Sequence, residues 1–277
     1  MGLFDGCLLA SDIDGTLLES GYINPVNVKL IDYFMSEGGK FSIATGRSVG
    51  AISDVIKQLN EFSPSVVANG CMIYDYGNSK ILHQEILSAT DHYFADFIIN
   101  QGIKVGAEIH CGPNSYTLKR TENTTLHQVY EKFEAPEMEF SELNKLDWNK
   151  AIFVFESSDD REKMYEILAD KKAECNFIKT SAVIGGVFQY YLEMVPKGVS
   201  KASALKKLCE IMNIRKGGLF AIGDYYNDVE MLENADISAV VMDSPEDLKS
   251  LADYVACSCK DGAVADFIDY LKEKFKK

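Results

Sequence analysis

Apolar runs and amphipathic segments alternate along the first part of the chain. Residues 7–10 (CLLA) form a short apolar run that ends at two aspartates, as a buried strand of a parallel sheet does. An asparagine N-cap and a proline at 24–25 then begin a helix with regularly spaced apolar residues. We expect a strand over 40–44, a helix over 49–59 and a third strand over 65–68. This alternation predicts right-handed crossovers and a parallel sheet covered by helices.

The pattern changes after about residue 80. Predicted strands over 104–110 and 115–119 are joined by a Gly-Pro-Asn turn, and a helix over 159–171 precedes a strand over 187–194. Hairpins mixed with a few helices are typical of an α+β module with an antiparallel sheet. This part of the chain therefore reads as a separate domain inserted into the first.

Single strands and helices alternate again from about residue 200, beginning with a helix over 200–212 and an apolar strand over 218–223. The fold class that follows is α/β, with a doubly wound, Rossmann-like parallel-sheet core and an inserted α+β domain. We place the core at residues 1–80 and 191–277 and the insertion at 81–190.

Composition narrows the classes of partner. A formal net charge of −14 argues against nucleic acid, and no apolar stretch approaches the roughly 20 residues of a membrane span. The start of the chain lacks a basic segment followed by an apolar one, so we expect no signal peptide. Seven cysteines without a CxxC pair indicate neither a disulfide framework nor a zinc site, and a cytoplasmic setting is expected. A small phosphorylated metabolite remains compatible with this charge, because a bound cation inverts the local field.

Two predicted strands deliver carboxylates to the same edge of the sheet. Asp12 and Asp14 follow the first strand and lie on one side of it, unless they only begin a solvated turn. Asp224 follows the strand over 218–223, and Asp228 lies one helical turn further on. Carboxylates that converge in this way need a cation, and oxygen ligands without His or Cys favour Mg²⁺. The sequence therefore predicts a magnesium site at the carboxyl ends of the strands.

Four motifs stand in order along the chain: DIDGT at Asp12–Thr16, ATGR at Ala44–Arg47, PKGVSKASAL at Pro196–Leu205 and GDYYND at Gly223–Asp228. Their order and spacing, with an insertion after the third strand, resemble the haloacid dehalogenase superfamily. The resemblance is to its Cof-type, sugar-phosphatase-like branch, which has a large α/β cap. It covers essentially the whole chain, strongly in the core and weakly in the insertion. The inserted domain is then expected to be a cap that sets substrate specificity.

The resemblance implies a Mg²⁺-dependent phosphatase that hydrolyses small phosphate monoesters, such as sugar phosphates, through an aspartyl-phosphate. Asp12 is the implied nucleophile, and Asp14 is the implied general acid and base. Mg²⁺ would be held by the carboxylate of Asp12, the main-chain carbonyl of Asp14 and the carboxylate of Asp224.

The same resemblance suggests which residues bind the phosphoryl group. The expected substrate-binding residues are Gly15, Thr45, Gly46, Arg47, Lys201 and Asn227. Thr45 either donates to phosphate, as we favour, or caps the next helix. Lys201 is preferred over Lys197 because it begins a helix, as the family lysine does. Arg47 contacts substrate or pairs with a carboxylate, and Asp228 is expected to pair with Lys201 or with a metal-bound water.

Other functions stay open at this point. A phosphomutase or phosphotransferase would use the same aspartyl-phosphate, and a sensor would bind a phosphorylated ligand without turning it over. The presence of Asp14 disfavours a dehalogenase, since that activity in this superfamily lacks the second motif aspartate. The oligomeric state is left open as well.

Overall fold

The structure is a computed structural model that describes residues 2–169 and 174–276. The strands are β1 (Leu8–Ser11), β2 (Leu18–Glu19), β3 (Tyr22–Ile23), β4 (Lys40–Ile43), β5 (Ser65–Val67), β6 (Met72–Asp75), β7 (Lys80–Gln84), β8 (Val105–Cys111), β9 (Asn114–Lys119), β10 (Lys150–Phe155), β11 (Cys175–Ile184), β12 (Val187–Pro196), β13 (Leu219–Gly223), β14 (Ile237–Val241) and β15 (Tyr254–Ala256). The α-helices are α1 (Pro25–Ser36), α2 (Ser53–Ile56), α3 (Ala89–Ile99), α4 (Glu122–Glu131), α5 (Phe140–Leu143), α6 (Ser158–Ala169), α7 (Lys201–Met212), α8 (Val229–Glu233), α9 (Glu246–Lys249) and α10 (Ala263–Phe275). Short 3₁₀ turns occupy Gly50–Ile52, Ala68–Gly70, Tyr226–Asp228 and Cys259–Asp261.

The chain divides into two compact units. Unit 1 comprises Met1–Gly46, Ser53–Leu82 and Ser200–Lys277, and unit 2 comprises Arg47–Ile52 and His83–Val199. The second junction therefore lies at Val199/Ser200, whereas the sequence placed it after residue 190. The reason is that β12 runs on to Pro196, and its last residues remain paired with β10 and β11.

Unit 1 is built on a five-stranded sheet in the order β15-β14-β13-β1-β4. Every neighbouring pair is parallel, as the sequence predicted, and β1 is an interior strand between β13 and the edge strand β4. The strands are buried on both faces because helices cover them. Leu8 and Ala10 of β1 pack in a cluster with Leu205 of α7 and Leu232 of α8, while α1 and α10 contact each other and the edge strands β4 and β15.

Parts of unit 1 differ from the expected pattern. β5, predicted as a third parallel strand, meets the segment that follows β4 at a parallel bridge between Ala44 and Val66. It pairs instead with β6, antiparallel, in a separate three-stranded sheet. The helix predicted over 49–59 is reduced to a 3₁₀ turn and the single turn of α2. The hairpin of β2 and β3 was not predicted, because each strand has only two residues.

Unit 2 contains the predicted antiparallel sheet, with five strands in the order β11-β12-β10-β8-β9. One face packs on α3 and α6 around large apolar side chains such as Trp148 and Phe153. The other face carries polar groups, and α4 contacts β8, β10 and β11. α4 begins at Glu122 because Thr121 and Thr124 form a capping box. Residues 170–171 of the helix predicted over 159–171 lie outside the described residues, and the described part ends at Ala169.

Within residues 2–169 and 174–276, no helix has the length and hydrophobicity needed to cross a membrane.

Candidate active site

The neighbouring strands β1 and β13 of unit 1 bring three aspartates together. β1 and β13 run parallel in register, and the Asp12 amide continues the ladder by donating to the Ile222 carbonyl at 3.0 Å. Asp12 and Asp224 therefore leave adjacent strands at the same edge of the sheet. One carboxylate oxygen from each of Asp12, Asp224 and Asp228 lies within 4.8 Å of the other two. Three of the four aspartates expected to converge are thus together, whereas Asp14 is exposed in the loop after β1.

Lys201 lies in the middle of these carboxylates. Its Nζ donates to Asp12 Oδ1 at 2.6 Å and to Asp228 Oδ1 at 2.7 Å, and the side chain is buried. Ser200 caps α7 immediately before it, so the lysine leaves from the first residue of a fixed helix. Lys197, the alternative considered from the sequence, is exposed. The lysine that contacts the aspartate cluster is Lys201.

Asp228 accepts hydrogen bonds with both of its carboxylate oxygens. While its Oδ1 accepts from Lys201, its Oδ2 accepts from the main-chain amides of Asp224 at 3.1 Å and Tyr225 at 3.4 Å. A Cβ atom at Gly223 would lie 2.5 Å from that Oδ2, so only glycine fits at the end of β13. Asp228 thus fixes both Lys201 and the loop that carries Asp224, and its pairing with Lys201 agrees with the expectation.

The loop after Asp12 turns back sharply. The amides of Leu17 and Leu18 donate to the Ile13 carbonyl, and Asp14 is exposed in between. Gly15 has φ +81°, and a Cβ atom there would lie 2.4 Å from Asp224 Oδ2. A glycine is required at this point by both the backbone and the close approach.

Thr16 is a member of the site that sequence reasoning did not assign. It is fully buried, and its Oγ1 donates to Asp224 Oδ1 at 3.3 Å. The only sequence signal was a hydroxyl directly after the glycine of the first motif. Its contact with Asp224 depends on the pairing of β1 with β13, which no local pattern shows.

The remaining expected substrate-binding residues are placed differently from one another. Thr45 is buried, and its amide donates to the Val66 carbonyl at 2.9 Å. Asn227 is exposed within the 3₁₀ turn of the last motif. Arg47 belongs to unit 2, where its guanidinium lies 5.9 Å from the centre of the Tyr130 ring. Its role toward substrate stays a prediction, as do the roles of Gly15, Thr45, Gly46 and Asn227.

Negative charge is in excess at this edge of the sheet. Burial raises the pKa of Asp12 well above its usual value, and Asp228 and Asp224 raise it further although Lys201 opposes them. Burial and the charge of Asp228 raise the pKa of Asp224 to about 7. Burial would lower the pKa of Lys201, but its two aspartate partners outweigh burial and raise it. One ammonium group does not neutralise three carboxylates.

The same residues fit a hard divalent cation. All the candidate ligands are carboxylate oxygens, which Mg²⁺ prefers, and they are close enough to share one ion. Both oxygens of Asp228 are already engaged by Lys201 and main-chain amides, so Asp12 and Asp224 are the residues that would hold the ion. A cation there would favour the ionised form of both carboxylates, which the protein alone disfavours.

Comparison with known proteins agrees with this geometry. The family model described as haloacid dehalogenase-like hydrolase matches residues 9–268. The chain belongs to this family. The resemblance drawn from the four motifs is thereby confirmed, together with the prediction that the chain is a hydrolase.

Among curated relatives, 5-amino-6-(5-phospho-D-ribitylamino)uracil phosphatase YcsE of Bacillus subtilis is 26% identical over 267 residues, covering 94% of either chain. Phosphatase YwpJ of the same organism is 24% identical and covers 95% of this chain and 99% of its own. A haloacid dehalogenase-like hydrolase structure from Bacteroides thetaiotaomicron gives a TM-score of 0.83 at 22% identity, covering 96% of this chain and 99% of that one. The structural likeness confirms the predicted fold class, and the relatives' names support the phosphatase class.

Proposed function

We propose that the protein is a Mg²⁺-dependent phosphatase that hydrolyses small phosphate monoesters through an aspartyl-phosphate on Asp12. The observation that carries this proposal is the contact of Lys201 with Asp12, next to Asp224, at the carboxyl edge of the parallel sheet. A carboxylate, a fixed cation and a metal-binding aspartate at one point are what transfer of a dianionic phosphoryl group needs. The phosphatase names of the relatives support the same reaction.

In the first half of the reaction, an oxygen of Asp12 attacks phosphorus and the bond from phosphorus to the leaving oxygen breaks. Asp14 gives its proton to that oxygen, so the product leaves as an alcohol. The exposure of Asp14 suits a group that must exchange protons with substrate and water. Lys201 remains beside the transferring group and offsets the charge that develops there.

In the second half, water attacks the phosphorus of the aspartyl-phosphate while Asp14 accepts its proton. The bond from phosphorus to the Asp12 oxygen breaks, which releases inorganic phosphate and restores the carboxylate. Thr45 is proposed to donate its hydroxyl to a phosphoryl oxygen in both halves, and Gly15 and Gly46 to offer main-chain amides. Asn227 and Arg47 are proposed to contact the substrate beyond the phosphoryl group.

When bound, Mg²⁺ supplies positive charge that neutralises repulsion between the carboxylates and the phosphate oxygens. Asp12, Asp224 and the main-chain carbonyl of Asp14 are the proposed ligands. Thr16 donates to one oxygen of Asp224, which would keep that carboxylate oriented.

The proposed substrates are small phosphorylated metabolites, with sugar phosphates first. One solved structure with a TM-score of 0.79 is described as a subclass IIB sugar phosphatase, and YcsE is named for a phosphorylated ribitylamino uracil. Unit 2 is proposed to act as the cap that selects among such compounds.

The test compares the wild-type protein with Asp12→Asn on p-nitrophenyl phosphate and a panel of sugar phosphates, with Mg²⁺ and with EDTA. Wild type should turn over only with Mg²⁺, and rapid acid quench should trap a mass increment of one phosphoryl group on Asp12. Asp12→Asn should lose at least about 10³-fold in kcat, because an amide is not a nucleophile.

Asp269→Asn is the matched control, since Asp269 is an exposed residue of α10 whose ion-pair partner is Lys272. It should keep wild-type activity. Retention of activity by Asp12→Asn would exclude Asp12 as the nucleophile. Phosphate transferred to a second sugar hydroxyl rather than to water would identify a phosphomutase, and ligand binding without turnover would identify a sensor.

A further inference from the structure

The turn Ala68–Gly70, which follows β5, has an uncommon backbone. Its three residues have φ of +52°, +56° and +97°. Residues other than glycine rarely adopt this left-handed region, yet Ala68 and Asn69 do so in succession and are both buried. Such a conformation persists only where the surrounding structure enforces it, and it is concentrated at functional sites.

One side of the turn holds the segment that carries Thr45. The Asn69 amide donates to the Thr45 carbonyl at 3.0 Å, while the Thr45 amide donates to Val66 just before the turn. The Asn69 side chain lies against Gly46, where a Cβ atom would be 2.8 Å from Asn69 Oδ1. The main chain of Thr45 is thus hydrogen-bonded at both its amide and its carbonyl.

The other side of the turn meets the start of α7. A Cβ atom at Gly70 would lie 2.1 Å from the Ser200 carbonyl oxygen and 3.1 Å from the Lys201 amide nitrogen. These are main-chain atoms, so they cannot rotate away as a side chain would. Lys201 extends from this point to Asp12. A single three-residue turn therefore touches both the Thr45 segment and the helix start that carries Lys201.

We propose that Asn69 and Gly70 are positioning residues that set the placement of Thr45 relative to Lys201. This inference rests on the proposed function, in which those two side chains bind oxygens of the transferring phosphoryl group. Asn69 and Gly70 act through the backbones of Thr45 and Lys201 and do not contact the phosphoryl group themselves. Phosphoryl transfer depends on such placement, because positioning and charge supply most of its catalysis.

The first variant is Gly70→Ala, with Gly217→Ala as its matched control. Gly217 also has a left-handed backbone, at φ +78°, but no atom of the described residues lies within 4 Å of the position that a methyl group would take there. With p-nitrophenyl phosphate and Mg²⁺, Gly70→Ala should lower kcat about 100-fold, the loss that a displacement of about 1 Å produces. Gly217→Ala should stay within about twofold of wild type in kcat, since it carries similar backbone strain without the clash.

The second variant, Asn69→Gly, guards against a failure of Gly70→Ala to fold. Glycine favours the left-handed backbone, so the turn is kept and only the side chain is lost. Its control is Asn213→Gly, since Asn213 has φ +54° at the other end of α7. Asn69→Gly should lower kcat about tenfold while KM and Tm remain near those of the control, which a merely structural role would not produce.

A double-mutant cycle tests the contact itself. Gly46→Ala should be harmful in the wild-type background, where the methyl group meets Asn69, and less harmful in Asn69→Gly, where that side chain is gone. Additive effects would contradict the proposed contact.

The inference is overturned if wild type is active and both Asn69→Gly and folded Gly70→Ala keep the kcat of their controls. If wild type shows no turnover, the proposed function fails separately. The same variants are then compared by calorimetric binding of vanadate with Mg²⁺. A weaker affinity in Asn69→Gly supports the positioning role, and an affinity equal to that of Asn213→Gly removes it.

Discussion

Unit 1 and unit 2 each bury a cluster of charged side chains, and the clusters differ in their balance. In unit 1, Lys201 contacts Asp12 and Asp228 at the edge of the sheet, and the Asp224 carboxylate lies next to theirs. In unit 2, the charged residues of the cluster lie on one face of the sheet and form ion pairs. Lys150 forms an ion pair with Glu193, and His127 Nδ1 lies 2.7 Å from Glu108 Oε2.

The pKa values follow this difference. In unit 1, the pKa values of Asp12 and Asp224 are raised, so these two carboxylates resist ionisation. In unit 2, burial alone would lower the pKa of His127, but Glu131 and Glu108 raise it to about 10. Burial alone would raise the pKa of Glu131, but His127 and, more weakly, Arg47 lower it to about 2. In unit 2, the two cations Lys150 and His127 serve three glutamates, whereas in unit 1 the single ammonium group of Lys201 faces three aspartates.

The largest expected effect tests the excess charge of unit 1. Asp224→Asn removes one of the crowded carboxylates at constant shape, so the metal-free protein should become more stable, by about 1 kcal/mol. The same change should lower kcat at least about 100-fold and weaken the response to Mg²⁺, because a proposed ligand of the ion is lost. Denaturant unfolding in EDTA and a Mg²⁺ titration of activity measure the two effects. An unchanged Mg²⁺ titration would show that Asp224 does not hold the ion.

Removing a charge from unit 2 is expected to lower the free energy of unfolding, the opposite of the effect expected in unit 1. His127→Gln leaves Glu108 and Glu131 without their cation, and removing one partner of a buried pair costs about 3 kcal/mol of unfolding free energy. His83→Gln is the control, since His83 pairs with Glu85 at a partly exposed site and should cost little. Equal stability of both variants would show that the unit 2 cluster is not held together by charge.

The pH dependence of unit 2 follows from the same shifts. The raised pKa of His127 gives stability that is full below its unfolded value of 6.5 and is lost as pH rises toward about 10. The lowered pKa of Glu131 gives stability that is present above 4.5 and is lost as pH falls toward about 2. The excess stability of wild type over His127→Gln should therefore be greatest between about pH 4.5 and 6.5. It should shrink by roughly 1 kcal/mol per pH unit above that window, as denaturant unfolding at pH 6 and pH 9 would show. A difference that grows with pH would contradict this pairing.

The same contrast explains what could be predicted from the sequence. β1 and β13 were found because buried parallel strands are continuous apolar runs, and the carboxylates that follow them had to share an edge. The helix predicted over 49–59 was wrong in length, although its apolar positions Val49, Ile52 and Val55 are buried. The spacing of these apolar residues shows only that one side of the segment is buried. An irregular segment can bury one side as well as a regular helix can.

Contacts between distant parts of the chain were beyond the local pattern. Asn69-Gly70 is a dipeptide typical of turns, but nothing near it in sequence indicates Thr45 or Ser200 as neighbours. In unit 2, the partner Glu131 of His127 lies four residues further along the same helix, a spacing that the sequence shows, whereas Glu108 lies on β8. Only part of this cluster could therefore be inferred from spacing.

The smallest expected effect compares two capping boxes made only of hydroxyls. Ser200 accepts from the Ser203 amide at the start of α7, and Thr121 accepts from the Thr124 amide at the start of α4. Ser200→Ala and Thr121→Ala should each cost about 1 kcal/mol of unfolding free energy, because each leaves a helix amide unpaired. Ser200→Ala should in addition lower kcat a few-fold, since Lys201 is the next residue and a frayed helix start misplaces its ammonium group. Ser200→Thr and Thr121→Ser keep the caps and should restore both quantities. If the two alanine variants proved equal in kcat, the precise start of α7 would not matter for the placement of Lys201.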